Sequence, residues 1–223
     1  MRGLFVTGTG TGVGKTILSA ALLAAMRAAG EPVRAHKPVL TGLQEPPGRW
    51  PPDHELLAVA AGMDPDDVAP LHYGPPVSPH LAAALAGERI DPARVLAEAR
   101  AAGEGATLVV EGVGGLLVPL AGDFTVRDLA VALELPLVIA ARPGLGTINH
   151  TLLTVQSARA AGLSVAAVVL TPWPAEPSEM ERSNRETIER LGEVEVTGLG
   201  EIASANIDEL TRAGDTLPWR RWL

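Results

Sequence analysis

Along most of the chain, short uninterrupted apolar runs alternate with stretches whose apolar residues recur at helical spacing. Gly3–Thr7 reads as a strand, Lys15–Ala29 as an alanine-rich helix closed by Gly30, and Pro32–His36 as a second strand. Proline and glycine then thicken from Pro38 to Pro52, which predicts a long loop. Helical patches follow at Asp53–Ala61, Pro79–Ala86 and Pro92–Ala102. Ser78 stands where a cap for the second belongs, and Asp91 precedes the third with proline at its first helical position. Thr107–Val110, Pro136–Ala141 and Ser164–Leu170 are continuous apolar runs of strand length, the pattern of strands covered on both faces by helices. Helices fit at Val126–Leu133, Thr147–Ala161 and Ser178–Leu191. The alternation predicts an α/β fold, a doubly wound and mostly parallel sheet in three layers. In such sheets ligands gather at the carboxyl ends of strands, so the residues just after each apolar run carry the most information.

Composition narrows the picture. At 223 residues and 47% hydrophobic, with no internal repeat, one domain over residues 1–223 is expected. A formal net charge of -8 offers no broad cationic surface for a nucleic-acid backbone, so any bound phosphate should be small and local. There is no cysteine, hence no thiolate nucleophile and no zinc–thiolate site. The longest apolar runs, such as Leu135–Ala141 and Val165–Leu170, are too short to span a bilayer, and no signal peptide precedes the first strand. A soluble, cytoplasmic protein without a membrane partner is the expectation. Arginine outnumbers lysine sixteen to two, and the two lysines, Lys15 and Lys37, each fall at the end of a strand-like run or the loop after it. An ammonium is a compact point charge that a tight loop can surround, whereas a guanidinium is a wide planar fork, so these lysines are candidates for work arginine cannot do.

The stretch Thr7-Gly8-Thr9-Gly10-Thr11-Gly12-Val13-Gly14-Lys15-Thr16 joins the first strand to the first helix. Backbone N–H groups of such a glycine-rich turn converge on phosphate oxygens, and the helix aims its positive end at them. Lys15 adds charge and Thr16 offers a hydroxyl to magnesium. Five residues separate Gly8 from Gly14, one more than in the common phosphate loop. The fold is therefore expected to be of the P-loop NTPase type. Glu111, in Glu111-Gly112-Val113-Gly114-Gly115, closes another buried strand beside this loop and is a metal candidate. Asp53 either caps the helix it begins or binds metal. Lys37, in His36-Lys37-Pro38, could steady a transferring phosphoryl group, while His36 reads as packing or plain surface. Gly144-Leu145-Gly146-Thr147-Ile148-Asn149-His150 starts a helix whose free N–H groups could receive a carboxylate, or forms an ordinary turn and cap.

Taken together, the lengthened phosphate loop, Lys37-Pro38, Pro76-Val77-Ser78-Pro79-His80, Glu111-Gly112-x-Gly114-Gly115 and Gly146-Thr147-Ile148-Asn149-His150 resemble dethiobiotin synthase, in order and at fitting spacings from Val6 to about Val169. The resemblance implies a magnesium- and ATP-dependent cyclo-ligase that closes a ureido ring on 7,8-diaminononanoate with carbon dioxide or bicarbonate. It implies that Gly8, Thr9, Gly10, Thr11, Gly12, Val13, Gly14, Lys15 and Thr16 hold the nucleotide, with Glu111, Gly112, Gly114, Gly115 and Thr171 alongside. Thr16, Asp53 and Glu111 would hold Mg2+, and Lys15 and Lys37 would flank the transferred phosphoryl group. Thr11 and Thr41 would line the reacting end of the substrate, Thr41 standing where the family often has serine. Family members are homodimers with the substrate near the interface, so Asn149 with the N–H groups at Thr147 and Ile148 would receive the substrate carboxylate from the partner chain.

Two departures follow Leu170. Many members carry Asn-Asp after that strand to read adenine, and here stands Thr171-Pro172-Trp173; where they carry proline after Gly-Glu-Ile, here stands Gly200-Glu201-Ile202-Ala203-Ser204. Loose selection of the nucleotide base, with other triphosphates accepted, is the expectation. A partition- or positioning-type ATPase switch is the alternative of the same fold, but its loop typically carries an extra lysine near the start, and here that position is Gly10. The tail Leu217-Pro218-Trp219-Arg220-Arg221-Trp222-Leu223 is too short for a membrane-surface helix and reads as packing or a frayed end. A cobyrinate-type amidotransferase would need a cysteine that the chain lacks.

Overall fold

The computed structural model describes residues 1–46 and 48–223. In chain order the elements are β1 (Gly3–Gly8), α1 (Lys15–Ala28), β2 (Val33–His36), α2 (Asp53–Ala61), α3 (Pro65–Val68), α4 (Pro79–Leu85), α5 (Pro92–Ala102), β3 (Thr107–Glu111), β4 (Pro119–Ala121), β5 (Phe124–Thr125), α6 (Val126–Leu133), β6 (Leu137–Ala141), α7 (Thr147–Ala160), β7 (Val165–Trp173), α8 (Glu179–Gly192), β8 (Val196–Gly200) and α9 (Ile207–Asp215), with a 3-10 turn at Trp219–Arg221. Six strands form one parallel sheet in the order β2-β3-β1-β6-β7-β8, and β4 and β5 make a small antiparallel pair. The chain leaves β1 for β2 on one side and leaves β3 for β6 on the other. A crevice therefore opens at the carboxyl ends of β1 and β3.

The uninterrupted apolar strands are explained by cover on both faces. Every residue of β1, β3 and β6 is buried. Alternate side chains feed different cores. Leu4, Val6, Val109, Val138 and Val169 pack with α1, α2 and α9, while Phe5, Leu108, Val110 and Leu137 face α5 and α6. Ile139, Val168 and Leu170 meet Val155 and Ile188 of α7 and α8. Helix α1 is buried from Leu18 through Met26, so it is a central helix rather than a half-exposed one, which accounts for its lack of a polar face. Its alanines also permit close approach. A Cβ placed on Gly214 of α9 would lie 2.0 Å from the Ala21 carbonyl oxygen.

Several local expectations are modified. Asp91 caps α5 by accepting from the Ala93 N–H at 3.0 Å, but Ser78 stands at the N-cap of α4 without a side-chain cap bond. Strand β8, helices α3 and α9 and the β4–β5 pair have no counterpart in the hydrophobic pattern. Strand β8 holds two glycines in five residues, and α9 buries only Leu210 and Gly214, so neither has the apolar density that marks the other elements. Strand β7 runs past Leu170 to Trp173. Its register against β8 slips between Leu170↔Gly198 and Trp173↔Gly200, three residues against two. Such a slip moves Trp173 to the face of Leu170, where its indole lies on Gly198. The carboxyl-terminal tail packs, with Trp219 and Trp222 only 1% and 3% exposed. Among the described residues no helix is long and apolar enough to cross a membrane.

His36, the last residue of β2, is buried with neither ring nitrogen hydrogen-bonded among the described residues, and burial pushes its pKa down to about 4. An unfolded chain then takes up a proton near pH 6.5 that the folded chain refuses. Stability from this group is present above pH 6.5 and is lost as pH falls toward about 4, amounting to about 3 kcal/mol at one unit per 1.4 kcal/mol. Urea unfolding of the parent and of His36→Leu at pH 7 and pH 4 measures it: the acid loss should be about 3 kcal/mol smaller in the variant, whatever its stability at neutral pH.

Candidate active site

Glycines let the loop after β1 close on itself. Gly12 and Gly14 have φ of +70° and +93° with negative-φ residues between and before them, an alternation that turns successive N–H groups toward one point. Gly14 is the N-cap of α1 and supplies no side chain, so the first helical N–H groups stay free. The loop's start is fixed by the Thr9 N–H donating to Ala140 of β6 at 3.0 Å. The second glycine turn packs on the first: a Cβ on Gly115 would lie 3.5 Å from the Gly8 oxygen, and one on Gly114 3.6 Å from the Thr11 hydroxyl. Gly112 donates to Val6 at 2.9 Å. Lys15, 7% exposed, curls back so that Nζ donates to the Gly10 carbonyl at 2.9 Å.

Parallel register brings the second lysine to the same place. Val6 pairs with Glu111 and His36 with Val110, so the ends of β1, β3 and β2 stand side by side. Lys37 Nζ donates to Glu111 Oε1 at 2.5 Å and to Asp53 Oδ2 at 2.6 Å, while the Thr16 hydroxyl donates to the same Glu111 oxygen at 2.9 Å. Lys37 and Glu111 are 3% and 1% exposed, and Pro38, Val39, Val113, Leu120 and Val126 wall an apolar crevice beside them. Burial disfavours the Lys37 ammonium, but Glu111 and Asp53 outweigh it and hold the pKa above the ordinary lysine range. Burial also governs Lys15, whose pKa is lowered; Glu111 and Asp53 oppose this and Lys37 adds to it. Asp53 begins α2 behind Pro52 and turns its side chain to Lys37 instead of capping the helix. Burial works against its charge and Lys37 more than compensates, so its pKa is lowered.

The donor set suits a hard cation. Among the described residues Glu111 Oε2 is buried without any hydrogen-bond partner, Thr16 and Asp53 lie within the same group, and all would present oxygen. Among the described residues no cluster of three or more His, Cys, Asp or Glu is assembled. Two carboxylates and a hydroxyl leave the remaining positions to water and phosphate oxygens, as magnesium prefers.

The Gly144–Asn149 segment starts α7. Gly146, at φ +89°, is its N-cap without a side-chain bond; the buried Thr147 hydroxyl turns inward, 3.3 Å from that of Thr151. Among the described residues the N–H groups of Ile148 and Asn149 have no backbone partner. Among the described residues no hydrogen bond or ion pair ties this segment directly to Lys15, Lys37 or Glu111. Thr41 is half-buried in a loop whose Gly42 meets Pro76 and donates to Pro75 at 3.1 Å.

Comparison with known proteins gives the family. A family model described as an AAA domain matches residues 2–206. The chain is 47% identical over 203 residues to the ATP-dependent dethiobiotin synthetase BioD of Anaeromyxobacter sp. (strain K), covering 86% of this chain and 90% of that protein. It is 38% identical over 204 residues to BioD of Bacillus subtilis (strain 168), covering 89% and 87%. It is 38% identical over 230 residues to BioD of Mycobacterium sp. (strain KMS), covering 98% of each. The chain belongs to the dethiobiotin synthetase family. A ParA family ATPase from Chlorobium tepidum TLS superposes with a TM-score of 0.55 over 97% of this chain and 90% of that one at 12% identity, a likeness of fold alone.

Within this dethiobiotin synthetase chain, two arginines escaped the sequence reading. Arg142, directly after β6, donates to the Gly12 carbonyl through Nε at 3.1 Å and Nη2 at 2.7 Å. The signal that marked Lys37 and Glu111, a charge just past a buried strand, was present for Arg142 too. Arg49 reaches from the loop after β2 to Glu201 at 3.1 Å and to the carbonyls of Ile202 and Ala203 at 3.3 and 2.9 Å, a join no spacing announces. Thr171 sits against the phosphate loop, where a Cβ on Gly14 would lie 2.7 Å from its methyl. The Lys37–Glu111 pair carries a testable consequence. Removing Lys37 leaves Glu111 buried without a counter-ion, which costs about 3 kcal/mol, whereas removing both charges costs much less. Urea unfolding of the nucleotide-free Lys37→Met, Glu111→Gln and double variants should give a coupling of at least about 2 kcal/mol; additive losses would show the pair to be uncoupled.

Proposed function

We propose that this chain performs the family's ATP-dependent dethiobiotin synthesis with the residues gathered at the carboxyl ends of β1, β2 and β3. The substrates are 7,8-diaminononanoate, carbon dioxide or bicarbonate, and ATP. The observation that carries the assignment is the placement of Lys37 between Glu111 and Asp53 beside the phosphate loop and Lys15. One substrate amine adds to carbon dioxide and loses a proton, giving a carbamate. A carbamate oxygen then attacks the γ-phosphorus, the bond to the ADP oxygen breaks, and a carbamic–phosphoric anhydride forms. The second amine attacks the anhydride carbon and loses a proton, the bond from that carbon to the phosphate oxygen breaks, phosphate leaves, and the ureido ring closes. Each step needs placement and compensation of negative charge more than covalent help from the protein.

The converging N–H groups of Gly10–Gly14 would hold the β- and γ-phosphates, with Thr9 and Val13 completing the turn. Mg2+, held by Thr16, Asp53 and Glu111, would supply compensation for phosphate charge. Lys37 is kept cationic by two carboxylates, so it can exchange them for phosphoryl and carbamate oxygens without changing protonation. Lys15, resting on the Gly10 carbonyl, is available for the γ-phosphate. Thr11 and Thr41 would orient the diamine. In a homodimer, the N–H groups of Ile148 and Asn149 with the Asn149 side chain and the turn at Thr147 would receive the substrate carboxylate across the interface.

The decisive mixture contains diaminononanoate, bicarbonate, Mg2+ and ATP. Ring product, ADP and phosphate should appear in equal amounts, and nucleotide hydrolysis without ring product would refute the proposal. Lys15→Ala and Lys37→Ala should each lower turnover by at least about 10²-fold, the scale of removing one charge aimed at the transition state. Base selection should be loose. Thr171 offers one hydroxyl where an amide would read adenine, and the Ile202 and Ala203 carbonyls are engaged by Arg49. Steady-state kcat/KM for ATP, CTP, GTP and UTP should fall within about tenfold, the worth of one neutral hydrogen bond; a preference for ATP beyond about a hundredfold would refute it.

A further inference from the structure

We propose that Arg142 is a positioning residue for the nucleotide: by forking onto the Gly12 carbonyl it braces the apex of the lengthened phosphate loop so that the loop's N–H groups face the triphosphate. The proposal rests on the nucleotide site described above but not on the ring-closing chemistry. The loop has one residue more than the common form, which leaves Thr11 and Gly12 further from the strand end and the helix start that anchor it. With Gly12 at φ +70° next to residues of negative φ, successive N–H groups of the loop can converge on an anion. Arg142 grips the Gly12 carbonyl through two nitrogens at 3.1 and 2.7 Å, a contact that uses a backbone acceptor and none of the loop's N–H donors.

The other side-chain contact to a loop carbonyl, Lys15 on Gly10, must be given up when Lys15 turns to a phosphate. Arg142 has no such conflict. The residues on either side of it are anchored. Ala141 before it ends buried strand β6, and Asn184 of α8, itself buried, donates to the carbonyls of Pro143 and Gly144 at 2.9 and 3.3 Å. Among the described residues Arg142 makes no ion pair, so no acid competes for its guanidinium. An exposed arginine that forks onto the apex of the phosphate loop from a well-anchored strand end is placed to reduce the ordering that nucleotide binding would otherwise demand.

Calorimetric titration of MgATP into the full chain, Arg142→Ala and Arg142→Lys tests this. Arg142→Ala should bind about tenfold more weakly, as loss of a charge-assisted bond on a partly exposed group implies, with kcat at saturating nucleotide falling less than Kd rises. Lysine can make one contact to the carbonyl but not the fork, so Arg142→Lys should recover only part of the affinity. Parental affinity in Arg142→Ala, or full recovery in Arg142→Lys, overturns the assignment. So does a lowered melting temperature of the nucleotide-free variant accompanied by equal losses in Kd and in the KM for the diamine, which marks a general structural role. A parent that binds no MgATP overturns this proposal and the proposed function together; a parent that binds MgATP but makes no ring product overturns only the latter, and the Kd comparison still decides the role of Arg142.

Discussion

A lysine ammonium held out of water between two carboxylates is the constraint on which the rest of the site depends. Lys37, 3% exposed, can remain charged there only because Glu111 and Asp53 stand within 2.6 Å. Buried ion pairs are poor stabilisers, since apolar residues of similar volume commonly do as well or better. Their retention at the end of a core strand therefore argues for chemistry. The fold supplies the geometry cheaply: the parallel register of β2 on β3 and β3 on β1 sets three strand ends level, so residues 74 positions apart in sequence meet without any special loop. Thr16 joins the same Glu111 oxygen from the first turn of α1, which links the phosphate loop to the lysine through one carboxylate.

Much of this was legible in the chain because strand ends are legible. Uninterrupted apolar runs mark strands buried on both faces, and the residue that follows such a run lies where a doubly wound sheet gathers ligands. Lys37, Glu111 and the glycine-rich loop were all found that way. What lay hidden depended on tertiary partners. Strand β8 and helix α9 are held by glycines that permit close approach, Gly198 under Trp173 and Gly214 against α1, and a glycine that is needed for contact looks in sequence like a turn. The β7 slip that sends Trp173 to the other face likewise has no local mark. Asp53 presented a true ambiguity, a helix-initial acid before an apolar turn, and only the proximity of Lys37 shows that its carboxylate faces the lysine.

The division of labour between the two kinds of cation is the part of the composition that structure explains. Arg49, Arg100, Arg142 and Arg159 all spend their guanidinium groups on backbone carbonyls, those of Ile202 and Ala203, Ala132, Gly12, and Gly192 and Glu193 respectively. A planar fork suits that work, because two nitrogens can reach one oxygen or two neighbouring ones. The two lysines instead sit in buried places, one inside the curl of the phosphate loop and the other between two acids. Surface charge can drift from lysine to arginine with little consequence. On the proposed mechanism a compact charge that changes partners cannot, because it would have to release a carbonyl or carboxylate and grip a phosphate through the same atom. Lysine at positions 15 and 37, in a chain that otherwise uses arginine, is thus what the proposed ion exchange at a phosphate would require, while the one arginine of this group that touches the phosphate loop, Arg142, binds a carbonyl it would not have to release.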